Sequence, residues 1–569
     1  MNQFSPRTSR RALVAAMAGA ALALSACSGG GDGSGGAGGP QPAGGDGAIT
    51  VFNGSTGTVA ENFNPFSPTA LQPTLGVVHE ALFYYNLAAG GDPEPLLGES
   101  FSWNEDGTQL TVVTREGVTW SDGEPFTAND VAFTFNLLWG TPELNTSGIE
   151  AEAEATSDTE VVFTFPTTSF VQEAQILGNQ AIVPEHVWAD KADPATDINT
   201  DPVGTGAYTV DTFSPQSYSL AANPDYWGGA PEVQNVRYIA LATADAASSA
   251  LLAGEVDWMS AFFPGFQEVL ADEPDLSWIN TPGATTTIHT CSNAELGCEG
   301  PQSDPAVRQA IYQALDREQL NQLAFAGIAQ MPSTTMLLPD RDEEWIADPE
   351  ATLAPETPDV EAARATLEAA GWTEGADGIY ERDGERLSMT IQVVSGYSDF
   401  ISAIDAMTQQ LAAAGIELSS TQLAYNEWNA NQQNGTFQLS MDSIGFTPST
   451  DPYYTYFPKY TTANTLPVGE SVGSNNFSRY SNPVVDEAVA TAAGTEDQAV
   501  KAEQYAVIQE QIATDLPYIP VVIGSTLTEF STARATGWPT DEDTYAFPAS
   551  WKSWDNGIVL KNLELVAPE

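Results

Sequence analysis

The sequence predicts an α/β protein in more than one lobe, and two observations carry that expectation. Short strand-like and helix-like segments alternate along the chain, and 42% hydrophobic residues over about 520 positions are enough to bury a large core. The order can be read segment by segment. Ile49-Thr50-Val51-Phe52 has the apolar run of a buried first strand, and Asn62-Phe63-Asn64-Pro65-Phe66 reads as a turn with exposed rings. Leu110 to Val113 reads as a strand. Ser121-Asp122-Gly123-Glu124-Pro125 is a turn, and Thr127 with Asp130 three residues later supplies a helix start. Val161 to Phe165 alternates as a strand, and Gly204 to Val210 is a turn into another. Asp304-Pro305 opens a helix with Val307, Ile311 and Leu315 on one face, and Asp316 with Gln319 caps the next. Thr357-Pro358 opens a further helix that Gly371 ends, and Tyr505, Ile508 and Ile512 mark one more before the strand-like Pro517 to Ile523.

The first 26 residues hold Arg7, Arg10 and Arg11, no acidic residue, and the apolar run Ala12 to Leu24, which is too short to span a bilayer comfortably. This is the pattern of a signal peptide, residues 1–26. Leu24-Ser25-Ala26-Cys27 resembles a bacterial lipobox, which makes Cys27 the expected lipidated N-terminus of the mature chain. Ser9-Arg10-Arg11 leaves Sec and twin-arginine export both open. Residues 27–48 are Gly-rich without core-forming side chains and read as a tether, so membrane contact is expected only through the lipid. No later apolar run is long enough to cross a membrane.

Charge narrows the function classes. The chain has 76 acidic and 18 basic residues and a formal charge of −58, and cleavage after residue 26 would remove only basic ones. Such a field repels nucleic acid and anionic lipid headgroups. The cysteines besides Cys27 are Cys291 and Cys298, and in an exported chain this close pair points to a local disulfide. The histidines are His79, His186 and His289; with no ligand spacing around them, no metal and no cofactor are expected. His-Glu-x-x-His and phosphate-loop motifs are absent from the sequence and no nucleophile elbow is assigned, so no catalytic residue is named and a secreted hydrolase is the distant alternative.

Several ordered blocks resemble one family. Gly117-Val118-Thr119-Trp120-Ser121-Asp122-Gly123-Glu124-Pro125-Phe126-Thr127-Ala128-Asn129-Asp130-Val131 is similar to the signature of the family 5 extracellular solute-binding proteins, the dipeptide and oligopeptide receptors of ABC importers. Val203 to Tyr208, Asn223 to Gly229, Gly254 to Asp257, Arg308 to Arg317, Ala370-Gly371-Trp372 and Arg479 to Asp486 agree in order and spacing. The resemblance implies a two-lobed periplasmic-binding-protein-like fold with two crossing segments and an extra subdomain in the first lobe. The boundaries it suggests are 49–88, 197–284 and 527–569 for lobe I, 89–196 for its subdomain, and 285–526 for lobe II. It also implies a monomeric receptor on the outer face of the cell membrane that encloses a solute between its lobes and serves a membrane permease.

Peptide receptors of this family hold the peptide ammonium with an aspartate just before an Asp-Pro pair. Here the loop is Gly445-Phe446-Thr447-Pro448-Ser449-Thr450-Asp451-Pro452-Tyr453-Tyr454, and the earlier aspartate is missing, leaving Asp442 or Asp451 as substitutes. The loop also looks like that of members that bind β-linked, cellobiose-like oligosaccharides, whose C–H faces pack on aromatic rings. Trp428 with Asn426, Asn429 and Asn431 has a sugar-binding composition, and so do Trp258, Phe262 and Phe263 near the expected crossing. Asn64, Phe66, Phe446, Tyr453 and Tyr454 complete the candidate ligand-binding residues.

Overall fold

The computed structural model describes residues 47–145, 148–263 and 265–566, so the signal segment, Cys27 and most of the Gly-rich tether lie outside the described residues. The chain enters on β1 (Ala48–Phe52). It then builds a separate antiparallel sheet from β2 (Gly98–Trp103), β3 (Gln109–Thr114), β4 (Glu152–Ser157) and β5 (Glu160–Thr164), in the order β2-β3-β5-β4. Helix α1 (Ala128–Gly140) covers that sheet, burying Val131, Ala132, Phe135 and Leu138 at helical spacing. Its start is fixed where the sequence places it: the Asp130 Oδ2 accepts from the Thr127 N–H at 2.9 Å, and the Thr127 hydroxyl accepts from the Asn129 N–H at 3.3 Å. A cap of this kind contributes ~1 kcal/mol.

The first lobe resumes with β6 (Tyr208–Ser214), β7 (Ser217–Ala222), β8 (Asn235–Ile239) and β9 (Trp258–Met259), and leaves through the long β10 (Leu276–Thr290). The second lobe contains α2 (Pro305–Ala314), α3 (Arg317–Ala324), α4 (Val360–Ala369), β11 (Ser388–Val394), α5 (Ser398–Ala413), β12 (Glu417–Leu423), α6 (Tyr425–Asn434), β13 (Leu439–Gly445), α7 (Tyr453–Tyr460) and α8 (Gln498–Asp515). The return strand β14 (Tyr518–Ser531) and α9 (Ser553–Asn562) bring the chain back to the first lobe. Among the described residues no helix is long and apolar enough to cross a membrane.

Ten strands join in one sheet, ordered β12-β11-β13-β10-β14-β9-β1-β8-β7-β6. β10 and β14 are the crossing segments. They pair antiparallel from Leu276↔Ser531 to His289↔Tyr518, with irregularities between Pro282 and Ala284 and between Thr286 and Thr287. One half of the sheet carries the first-lobe core around Ile49, Val51, Tyr208 and Tyr238, and the other carries the second-lobe core around Ile311, Met389, Ile391 and Met407. Cys291 and Cys298 are joined, just beyond the end of β10.

Some expectations shift. The rings of the 62–66 turn are not exposed: Phe63 is fully buried and Phe66 packs edge-on against Trp188 at 5.0 Å. The helix expected from Thr357-Pro358 begins after Asp359, whose carboxylate accepts from the Ala362 N–H at 2.8 Å, because a side-chain acceptor caps the first turn better than the proline one residue earlier. The strand expected to stop at Ile523 continues to Ser531, since it crosses to the other lobe. The subdomain core reaches back to Leu82 and Phe83.

Glu529 lies fully buried on β14, with Trp278 and Met259 as its strand partners and no cationic partner among the described residues. Burial raises its pKa to about 8, against a smaller opposing pull from the Ala261 backbone. The folded state therefore keeps this proton while the unfolded chain loses it, so stability falls as pH rises from the ordinary carboxyl range toward 8. The variant E529Q should be unchanged near pH 4 and gain about 2–4 kcal/mol at pH 8, read from denaturant unfolding at both pH values. An equal effect at both would show that the carboxyl proton is not involved.

Candidate functional site

β11, β12 and β13 run parallel, and β13 pairs alongside β10 until its carboxyl end, Gly445, lies opposite Ala284 in the middle of that crossing strand. The loop after β13 is therefore delivered to the space between the lobes, as carboxyl-end loops commonly are in α/β sheets. Its entry is tight. A Cβ on Gly445 would meet the Gly283 carbonyl oxygen at 2.5 Å, and a Cβ on Gly283 would meet the Phe446 ring at 2.8 Å. Phe446 itself adopts φ +57°, a conformation that costs a non-glycine residue of order 1 kcal/mol, and its half-exposed ring is held by contacts on one side. Phe547 and Trp551 of the first-lobe return meet the ring edge-on at 6.0 and 5.8 Å, and the Lys552 ammonium lies 4.7 Å from its centroid.

Beyond Phe446 the loop holds itself and the opposite lobe. The Thr447 hydroxyl donates to the Ser449 carbonyl at 2.6 Å, and Ser449 Oγ accepts from the Asp451 N–H at 3.2 Å. Asp451 accepts from the Tyr453 N–H at 2.9 Å, pairs with Lys501 at 2.7 Å and receives the Tyr505 hydroxyl. Tyr454 donates to the Val171 carbonyl of the subdomain at 2.7 Å, and Arg341 donates to the Leu87 carbonyl of the first lobe at 2.8 Å.

Two cavities flank this loop and share Tyr85. The larger, about 600 Å³, has walls from the segment Tyr85–Pro93, the subdomain and the second lobe. Its rings are Tyr85, Phe101, Phe170, Trp345, Tyr453 and Tyr454. Its charged groups are Asp92, Glu173, Glu344, Asp451, Glu496 and one cation, Lys501, already paired with Asp451. Glu173 accepts from Trp103 Nε1 at 3.0 Å and from the Tyr85 hydroxyl at 3.4 Å. Burial pushes its carboxyl pKa up and the facing Glu496 adds to the rise; burial likewise raises Glu496, with Lys501 opposing. The smaller cavity, about 150 Å³, lies between Phe446–Pro448, Tyr84–Tyr85 and α9, and is lined by Glu80, Asp555, Lys552 and Lys561.

The structure brings Phe446, Asp451, Tyr453 and Tyr454 to these cavities and leaves the other candidates elsewhere. Asn64 is buried and holds the Pro194 and Asp197 carbonyls at 2.8 and 2.7 Å, while Phe66 packs on Trp188. Trp258 is core: its indole donates to the Pro548 carbonyl at 2.9 Å and packs on Trp538. Phe263 is buried against Phe266, and Phe262, 54% exposed, lines neither cavity. On α6, Trp428 is buried, Asn426 is exposed, and Asn431 donates to Gln392 at 3.1 Å. Asp442 stays within β13, where it accepts from the Ser443 N–H at 2.8 Å. Tyr85, Glu173, Trp345, Glu496 and Lys552 were not anticipated, because each comes from a separate segment with no local motif.

A profile described as bacterial extracellular solute-binding proteins, family 5 Middle, matches residues 92–465. Protein XP55 of Streptomyces lividans is 31% identical over 475 residues, covering 79% of this chain and 81% of its own length. The oligopeptide-binding protein AppA of Bacillus subtilis is 26% identical, covering 74% and 76%. Among solved structures, the periplasmic oligopeptide-binding protein of a Thermotoga maritima oligopeptide ABC transporter superposes with TM-score 0.82 at 24% identity, covering 91% of this chain and 99% of that one. A mannohexaose-bound structure of that protein gives 0.74 at 25% identity, with 91% and 98% covered. The chain thus belongs to the family 5 bacterial extracellular solute-binding proteins and is the substrate-binding component of an ABC transporter, a receptor rather than an enzyme.

Proposed function

We propose that the mature chain is a monomeric receptor, anchored through lipid on Cys27 to the outer face of the cell membrane, that captures an oligopeptide between its lobes and hands it to a membrane permease. The observation that carries the ligand class is the charge balance of the larger cavity. Its five carboxylates face one lysine, which Asp451 already neutralises. A peptide ammonium leaving water needs a carboxylate partner. Glu173 and Glu496, whose pKa values are raised at this wall, gain from a cation between them. The AppA relative is itself named as an oligopeptide-binding protein.

A second reading, a β-linked oligosaccharide, draws on the six rings of the same cavity and on the mannohexaose held by the Thermotoga neighbour. Sugar C–H faces pack on such rings, and carboxylates accept from hydroxyls. The two readings separate on charge. A randomised tetrapeptide library offered with free and with N-acetylated amino ends should be retained only as the free amines in native mass spectrometry. E173Q/E496Q should weaken that retention about tenfold or more, equivalent to roughly 1.4 kcal/mol. Retention of cellohexaose or mannohexaose with no peptide captured would overturn the peptide reading.

Anchoring is tested separately. With C27A the protein should move from the membrane pellet to the soluble exported fraction, while ligand retention by the purified body stays the same. A C27A protein that still pellets would remove lipidation at Cys27 from the account.

A further inference from the structure

We infer that Lys552 is the anchor for the carboxylate end of the captured peptide, so that the two cavities hold opposite ends of the solute. This rests on the peptide reading and adds to it a direction of binding. Four charged side chains line the smaller cavity, and three are engaged. Glu80 accepts from the Tyr226 hydroxyl at 2.7 Å and from Trp227 Nε1 at 2.8 Å. The Lys561 ammonium lies 3.3 Å from the same Tyr226 oxygen, and its charge is balanced by nearby Glu80. Asp555 accepts from the Tyr84 hydroxyl at 2.5 Å and from the Phe547 N–H at 2.8 Å.

Lys552 differs. Among the described residues its ammonium has no carboxylate within 4 Å and no hydrogen-bond acceptor; the carboxylate whose charge reaches it, Asp555, is already bonded to Tyr84 and Phe547, and its near neighbours are the Phe446 ring at 4.7 Å and the Phe547 ring at 5.8 Å. Ring faces hold a cation in place without supplying an acceptor, which leaves its donors for an anion entering the cavity. Lys552 also precedes α9, a ten-residue helix with no side-chain cap, so the helix dipole adds to the positive potential there. A carboxylate is unwelcome in the larger cavity, where five acids already stand. Tyr85 lines both spaces and so sets them side by side, and on this assignment one extended solute reaches from one to the other past its ring.

The test uses the full mature protein and two randomised tetrapeptide libraries with free amino ends, one ending in carboxylates and one in amides. In native mass spectrometry the wild type should enrich the free acids tenfold or more over the amides. K552M should lose that preference, and K552R should retain it; thermal unfolding checks that both variants are folded. Equal retention of acids and amides by the wild type, or an acid preference that survives in folded K552M, would overturn the role of Lys552 and leave the peptide reading standing. If neither library is retained, the peptide reading fails and this assignment falls with it.

Discussion

The rest of the molecule depends on the pairing of two long strands. β10 and β14 bond to one another through both lobes, so the halves of the sheet are one hydrogen-bonded object and can move only by twisting or bending that ribbon. The residues there suit the task. Thr281, Thr285, Thr286, Thr287 and Thr528 are buried β-branched residues, which favour extended backbone and stay stiff at χ1. One of the two pairing irregularities falls at Gly283, and β13 ends against the same point at Gly445. An irregular step in a ladder bends the strand and increases its local twist. The bend, the missing side chains and the start of the loop between the two cavities therefore coincide.

That coincidence explains why Phe446 can be both strained and well placed. The ring needs the space that a side chain at position 283 would fill, and it meets Phe547, Trp551 and Lys552 of the other lobe. Contacts made across the lobes exist only when the lobes are close, so their energy belongs to closure and not to the stability of either lobe alone. The same holds for Tyr454 on Val171 and for Arg341 on Leu87. Each is a single hydrogen bond worth roughly 0.5–1.5 kcal/mol net, small enough for a solute filling the cavities to shift the balance between open and closed forms.

Much of the fold was legible because it depends on local signals. The Thr127, Asp304 and Asp316 caps sit where the sequence places them, and Val307, Ile311, Leu315, Tyr505, Ile508 and Ile512 are all buried. The family blocks are legible for the same reason, and their charged residues prove to be braces. Arg308 donates to the carbonyls of Gln302, Ser303 and Asp515, and Arg479 to those of Gln432, Gln433, Glu470 and Phe477. The site was legible only in part. Composition singled out Trp258 and Trp428, but an aromatic residue carries no mark that says whether its ring faces core or cleft. Glu173, Trp345, Glu496 and Lys552 gain their meaning from the folding together of distant segments, which one sequence does not display.

The division between brace and cleft follows from how the charges are spent. In a chain with 76 acidic and 18 basic residues, most of the described basic side chains find an anionic or carbonyl partner, and a cavity-lining one that does not needs a reason. Arg308, Arg317 and Arg479 are fully inside and bonded to carbonyl oxygens, with Arg479 Nε left unpaired, an arrangement that fixes geometry. Lys501 is spent on Asp451, and through it on the shape of the loop. What faces the interlobe space is then an excess of carboxylate on one side and the Lys552 ammonium on the other, with rings between. Rings give contact area that varies little as a chain slides along them, whereas charges fix its ends. On the proposed reading, a cleft built this way selects for the two ends of a peptide and tolerates what lies between them, and that tolerance is what a receptor for mixed sequences requires.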